Sequence, residues 1–192
     1  MIWIIIIPLL LILFWIISTY NFFVSSKARI KAAIQEIGNQ LKRQADLIPN
    51  LEESTKGYLK HEKGIFEKLT DARKSINKAI ESGDLQKMSD AGSKLASVLP
   101  DIKVIVESNP EIKGSEVVSK LMDELRDTSD KIMYSRRLLI DLSADFNVKR
   151  ATFPSNIVAG FFKFEEMQGL KTPEGGTEVK SEEMKTPKVN LE

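Results

Sequence analysis

The chain is predicted to be all-α: an N-terminal transmembrane helix followed by an antiparallel bundle of three to four long helices. Three observations predict it. No polar side chain occurs from Ile2 to Ile17. Beyond that stretch, apolar residues return at spacings of three and four, the stripe of a bundle helix. No window carries a convincing run of the period-two alternation that a strand requires. The chain then divides into a membrane helix (1–25), a helical bundle (26–164) and a disordered acidic tail (165–192).

With Tyr20, Phe22, Phe23 and Val24 added, the apolar stretch reaches about 23 residues, roughly 35 Å of helix, which spans a hydrocarbon core of about 30 Å. Ile2 and Trp3 begin it, and Pro8 lies inside it, where a membrane helix tolerates proline. Trp3, Trp15 and Tyr20 lie toward its ends, where amphipathic rings prefer the interface. A cleaved signal peptide would need a basic leader, a shorter apolar core and a small-x-small site, so the segment is expected to stay uncut. Lys27, Arg29 and Lys31 follow it and no Lys or Arg precedes it. The positive-inside rule then puts the N-terminus outside and the bundle in the cytoplasm of a single-pass cell-membrane protein.

From Arg29 to Ser82 the stripe runs through Ile30, Ile34, Ile37, Leu41, Ile48, Leu51, Tyr58, Ile65, Leu69, Ala72, Ile76 and Ala79. Pro49 allows two readings. Asp46 can cap a new helix with proline in its first turn, giving a four-helix bundle. Alternatively one long helix continues with a kink, which the unbroken seven-residue phase of Ile34, Leu41, Ile48, Leu69 and Ile76 favours. Gly83-Asp84 ends this region, the glycine suiting a helix end and the aspartate a cap. The next helix is expected over Leu85–Glu107, with Pro100 bending or dividing it. Asn109-Pro110 breaks the pattern, and Ser115 can cap a last long helix, Glu116–Arg150.

Phe153-Pro154-Ser155-Asn156 ends that helix, and Ile157 to Phe164 forms an apolar patch. The patch either folds back over the bundle end or meets the membrane surface or a partner. In an up-down four-helix bundle the last helix returns to the membrane. With a long kinked first helix the chain ends far from it. From residue 165 onward seven acidic residues face four basic ones, with three glycines and two prolines; such a composition cannot bury a core. Lys171-Thr172-Pro173 recurs as Lys185-Thr186-Pro187, a short echo and not an architecture.

Composition excludes several classes. There is no cysteine, so disulfides, thiolate chemistry and Cys-based zinc sites are absent. The net charge of +1 gives no global field for nucleic acid. His61-Glu62 starts like a zincin motif, but the second histidine would fall at position 65, which is Ile65, and the chain has one histidine. No Gly-x-Ser-x-Gly elbow and no glycine-rich phosphate loop occurs. Gly57 and Gly64, seven apart in a helical pattern, favour a close helix crossing. Lys42-Arg43 with Asp46 and Glu53 is either a solvated face or a docking face beside Pro49.

The segment Gln40-Leu41-Lys42-Arg43-Gln44-Ala45-Asp46-Leu47-Ile48-Pro49-Asn50-Leu51, with Lys56-Gly57-Tyr58 and His61-Glu62, resembles the signature of the LemA family. Tyr20-Asn21, Ala72-Arg73, Glu107 to Pro110, Glu124-Leu125, Arg136, Phe146-Asn147 and Phe153-Pro154-Ser155-Asn156 follow in the expected order. The resemblance covers roughly residues 20 to 164. It implies an all-helical bundle on one membrane helix in bacteria, without a settled activity. It also implies a link to envelope maintenance, as family genes often neighbour membrane-bound zinc peptidases. The chain departs from the pattern at Leu139-Ile140, where the family tends to have Tyr-Asn.

These readings give a leading expectation: a non-enzymatic scaffold anchored in the bacterial envelope, with no cofactor, no nucleic acid and no small-molecule substrate. Its partners are the lipid bilayer, other membrane or envelope proteins and further copies of itself. The candidate partner surface comprises Leu41, Arg43, Asp46, Leu47, Ile48, Pro49, Asn50, Gly57, Tyr58, His61, Glu62, Phe153, Pro154 and Asn156. An adaptor or regulator of a membrane-bound peptidase is the alternative, and a metal-dependent hydrolase using His61 and Glu62 the remote one.

Overall fold

The computed structural model describes residues 2–56 and 63–170. Helix α1 (Trp3–Thr55) carries both the apolar run and the first bundle helix. Then come α2 (Lys63–Ser82), α3 (Leu85–Ser108), the single turn α4 (Pro110–Lys113), α5 (Glu116–Ala151) and the short α6 (Ser155–Phe161). Among the described residues there is no strand.

Local chemistry sets the helix ends. Gly83 adopts φ +63°, which costs glycine nothing. Asp84 follows and accepts a hydrogen bond from the Lys87 amide at 3.0 Å, capping α3. Ser115 does the same for α5 through the Val118 amide at 3.4 Å. Both caps fall where the sequence places them. Neither Pro49 nor Pro100 makes a turn: α1 runs through Pro49, as it does through Pro8, and α3 runs through Pro100. Leu47, Ile48 and Leu51 around Pro49 are buried, so their packing outweighs the lost backbone hydrogen bond.

The long helix expected to reach Ser82 instead stops at Thr55, and α2 packs back on α1, with Thr70 Oγ1 donating to Glu52 Oε1 at 3.1 Å. Cross-links then fix the directions. Lys68–Asp101 and Lys94–Ser75 pair α2 antiparallel to α3. Arg43–Glu124 and Phe23–Phe146 pair α1 antiparallel to α5. The result is an up-down-up-down bundle in which α5 returns toward the apolar run. The expectation that a kinked first helix would leave the chain's end far from that run is therefore corrected: the helix is continuous at Pro49, but it reverses after Thr55.

The four helices are unequal. α2 and α3 have 20 and 24 residues, whereas α5 has 36 and runs the whole length of the bundle against α1. Near the apolar run the core is therefore mainly α1 and α5, closed from one side by α6 and the extended segment after it. Phe164, Met167 and Leu170 pack against the core there. Asn147 holds that segment through both backbone polar groups of Met167, donating to its carbonyl and accepting from its amide, each at 2.9 Å. Arg150 pairs with Glu166 at 3.1 Å. Residues 165–170, placed in the tail on composition, thus lie on the bundle; 171–192 fall outside the described residues.

Candidate functional site

The signature around residues 40–51 splits by helix face. Leu41, Leu47 and Ile48 are core residues. Arg43, Asp46 and Asn50 face solvent and Pro49 is half-buried. Arg43 pairs with Glu124 of α5 at 3.2 Å, so part of the expected docking face is used to align two helices. Gly57, Tyr58, His61 and Glu62 lie outside the described residues. Among the described residues no group of three or more His, Asp or Glu side chains could hold a metal ion.

Gln44, within the same signature, has a role that spacing alone did not single out. It is fully buried, donates to Ser129 Oγ of α5 at 2.9 Å, and leaves its Oε1 without a hydrogen-bond partner. Ser129 in turn donates to the Leu125 carbonyl. A buried amide tied to one hydroxyl favours one register of α1 against α5, because a slip would strand the Gln44 amide, whereas Ser129 keeps its bond to the Leu125 carbonyl.

On the far side of α5 an open groove lies between α3 and α5. It has a volume of about 840 Å³. Leu99, Val106, Ile112, Met122, Ile132 and Met133 give it an apolar floor and walls. Lys103, Glu107, Asp123, Arg126, Asp130 and Arg136 ring it. Lys103 pairs with Glu107 and Arg126 with Asp123, each along its own helix. Arg136 reaches across to α3, donating to Ser93 Oγ at 2.8 Å.

Gly92 lies at one end of the groove. A Cβ there would meet Ile132 Cγ2 and Leu41 Cδ2 at 3.4 Å. The missing side chain lets α3 approach α1 and α5 closely at this level. The groove runs from Gly92 and Ser93 to Lys103 and Glu107 along α3, and from Ser119 to Arg136 along α5. The expected close crossing at Gly64 is corrected: a Cβ there meets nothing within 4 Å, because this glycine lies in the first turn of α2 facing open space.

A second surface lies at the opposite end. The Phe153–Pro154 peptide is cis, and Phe153, Pro154 and Asn156 are exposed. Ser155, Val158 and Ala159 turn inward from α6, while Phe162 packs against Tyr20 with the rings tilted and their centroids 4.7 Å apart. Ile2, Trp3 and Pro8 are exposed along the first turns of α1, and Trp15 is half-buried.

Fold and surfaces together define a class: a four-helix up-down bundle built on a first helix whose leading part is long and apolar enough to cross a membrane. The chain belongs to the LemA family, whose sequence model matches residues 33–190. No curated protein matches it.

Proposed function

We propose that the protein is a membrane-anchored, non-enzymatic scaffold of the bacterial envelope, and that its α3–α5 groove receives an amphipathic helix from another membrane or envelope protein. The groove is the observation that carries this reading. It is elongated, apolar inside and ringed by charges of both signs, which suits a helix with an apolar stripe and mixed flanks. The exposed, uncharged run from Ile2 to Ile17 supports the anchor, since such a surface is stable in lipid and not in water. Lys27, Arg29 and Lys31 after that run favour a cytoplasmic bundle.

The test is a photocrosslinking residue at Met133 in native membranes, with one at Lys78 on the outer face of α2 as reference. A defined adduct with another protein at 133 and none at 78 is the expected result. Equal adducts at both positions, or none at either, would remove the groove as a docking site.

A further inference from the structure

The exposed side of the bundle's lower end is unusually apolar. Phe153, Ile157 and Phe161 are spaced four apart across the turn and α6, and they are 77%, 62% and 80% exposed. The inward side of the same seven-residue helix is Ser155, Val158 and Ala159. The helix is thus apolar on both sides, and only one side is covered by the bundle. A soluble surface rarely leaves two phenylalanines and an isoleucine so exposed within nine residues.

The position of this row in the fold decides what covers it. Phe162 and Phe164 pack on Tyr20 at 4.7 and 5.7 Å, and Phe164 stacks on Phe23 at 4.8 Å. Phe161 lies edge-on to Phe162 at 5.0 Å. The stripe is therefore level with Tyr20 on α1. The rise from Ile2 to Tyr20 is about 27 Å at about 1.5 Å per residue, against a hydrocarbon core of about 30 Å. Once α1 spans the bilayer, Tyr20 stands at the headgroup boundary, and the stripe stands there with it. The cations at this end suit that depth. Lys149 lies over the Phe22 ring at 5.5 Å, and Lys27 and Lys163 are exposed, so all three can reach anionic headgroups from an apolar base. Among the described residues the acidic side chains near this end include Asp141, Asp145, Glu165 and Glu166, the last paired with Arg150.

We propose that Phe153, Ile157 and Phe161 form an interfacial foot that inserts into the leaflet through which α1 leaves the membrane. The bundle is then held to lipid at two points, by a spanning helix and by a shallow amphipathic contact. This fixes its tilt and points the α3–α5 groove away from the bilayer. The proposal rests on the reading of α1 as an anchor, and the experiment separates the two.

The chain has no cysteine, so single probes are easily placed. Full-length Ile157→Cys, Phe161→Cys, Phe14→Cys and Val104→Cys variants, each carrying an environment-sensitive fluorophore, are reconstituted in phosphatidylcholine–phosphatidylglycerol vesicles containing nitroxide lipids of known depth. Probes at 157 and 161 are expected to shift to the blue and to be quenched most by a nitroxide near the headgroup. The probe at 14 should respond to a deep nitroxide, and the one at 104 to none. If 157 and 161 behave like 104 while 14 is quenched, the anchor stands and the foot is refuted. If 14 is unquenched as well, both fall. If 161 is shielded from an aqueous quencher yet untouched by every lipid nitroxide, a protein surface covers the stripe, and the lipid assignment is overturned.

Discussion

The two ends of the bundle solve the same packing problem in opposite ways. At the lower end, where α2 and α3 do not reach, two helices cannot bury their stripes alone, and aromatic rings fill the gap. Phe23 and Phe146 meet at 5.2 Å, and Phe164 of the returning segment stacks on Phe23. At the upper end four helices are available, yet an open groove remains between α3 and α5. Helix number does not decide which end is better sealed. The lower end closes because large side chains and an extra chain segment were added. The upper end stays open along α3 and α5, where Leu99, Val106 and Met122 are only partly buried.

The comparison fails most visibly if the lower end is less sensitive than it looks. Phe146 is fully buried between Phe23 and Phe164. Phe146→Ala is expected to cost about 3–5 kcal/mol, whereas Met133→Ala, whose side chain is mostly exposed on the groove wall, is expected to cost less than about 0.5 kcal/mol. Thermal unfolding of the full chain in detergent, followed by circular dichroism, measures both. Equal shifts in Tm would remove the distinction between a sealed and an open end.

This contrast was only partly legible in the sequence. The all-α class, the glycine stop at Gly83, the caps at Asp84 and Ser115 and the stripe of α5 follow from local rules and fall where those rules place them. The reversal after Thr55 does not. Ile48 and Leu69 belong to different helices yet stay in one seven-residue phase, because two helices facing the same core need the same apolar spacing whether or not they are continuous. Phase therefore spoke correctly for continuity at Pro49 and wrongly for continuity beyond it. The position of the phenylalanine patch depends on that reversal, so its neighbourhood with Tyr20 was out of reach. The groove was hidden for another reason. Leu99, Val106 and Met122 have the spacing of ordinary core residues, and spacing does not tell that they are only partly buried.

Gly92 sharpens the comparison from the other side. If it holds α3 close at the base of the groove, a large side chain there must push the helix outward. Gly92→Leu is expected to cost about 1–3 kcal/mol by overpacking against Ile132 and Leu41. Gly64→Ala, with open space around it, should instead stabilise by up to about 1 kcal/mol through helix propensity alone. Opposite signs in one denaturation series support the assignment. A stabilising Gly92→Leu would show that α3 is not held tightly at this level.

The smallest effect concerns how the upper half is kept in register. Gln44 lies between the two ends, buried, with one of its two polar atoms unpartnered. Gln44→Met keeps the length and removes the orphaned carbonyl. The Ser129 hydroxyl still donates to the Leu125 carbonyl, so nothing else is stranded. Removing both costs of a half-satisfied amide should change stability by less than about 1 kcal/mol, with a gain as acceptable as a loss. What should change is specificity. Without the Gln44–Ser129 bond, apolar stripes of period seven fit nearly as well after a slip of one heptad. Hydrogen exchange at the α1–α5 contact is therefore expected to quicken at unchanged Tm. A fall of several kcal/mol would mean that the amide is held by more than the one hydroxyl, and unchanged exchange would mean that the aromatic lower end alone sets the register.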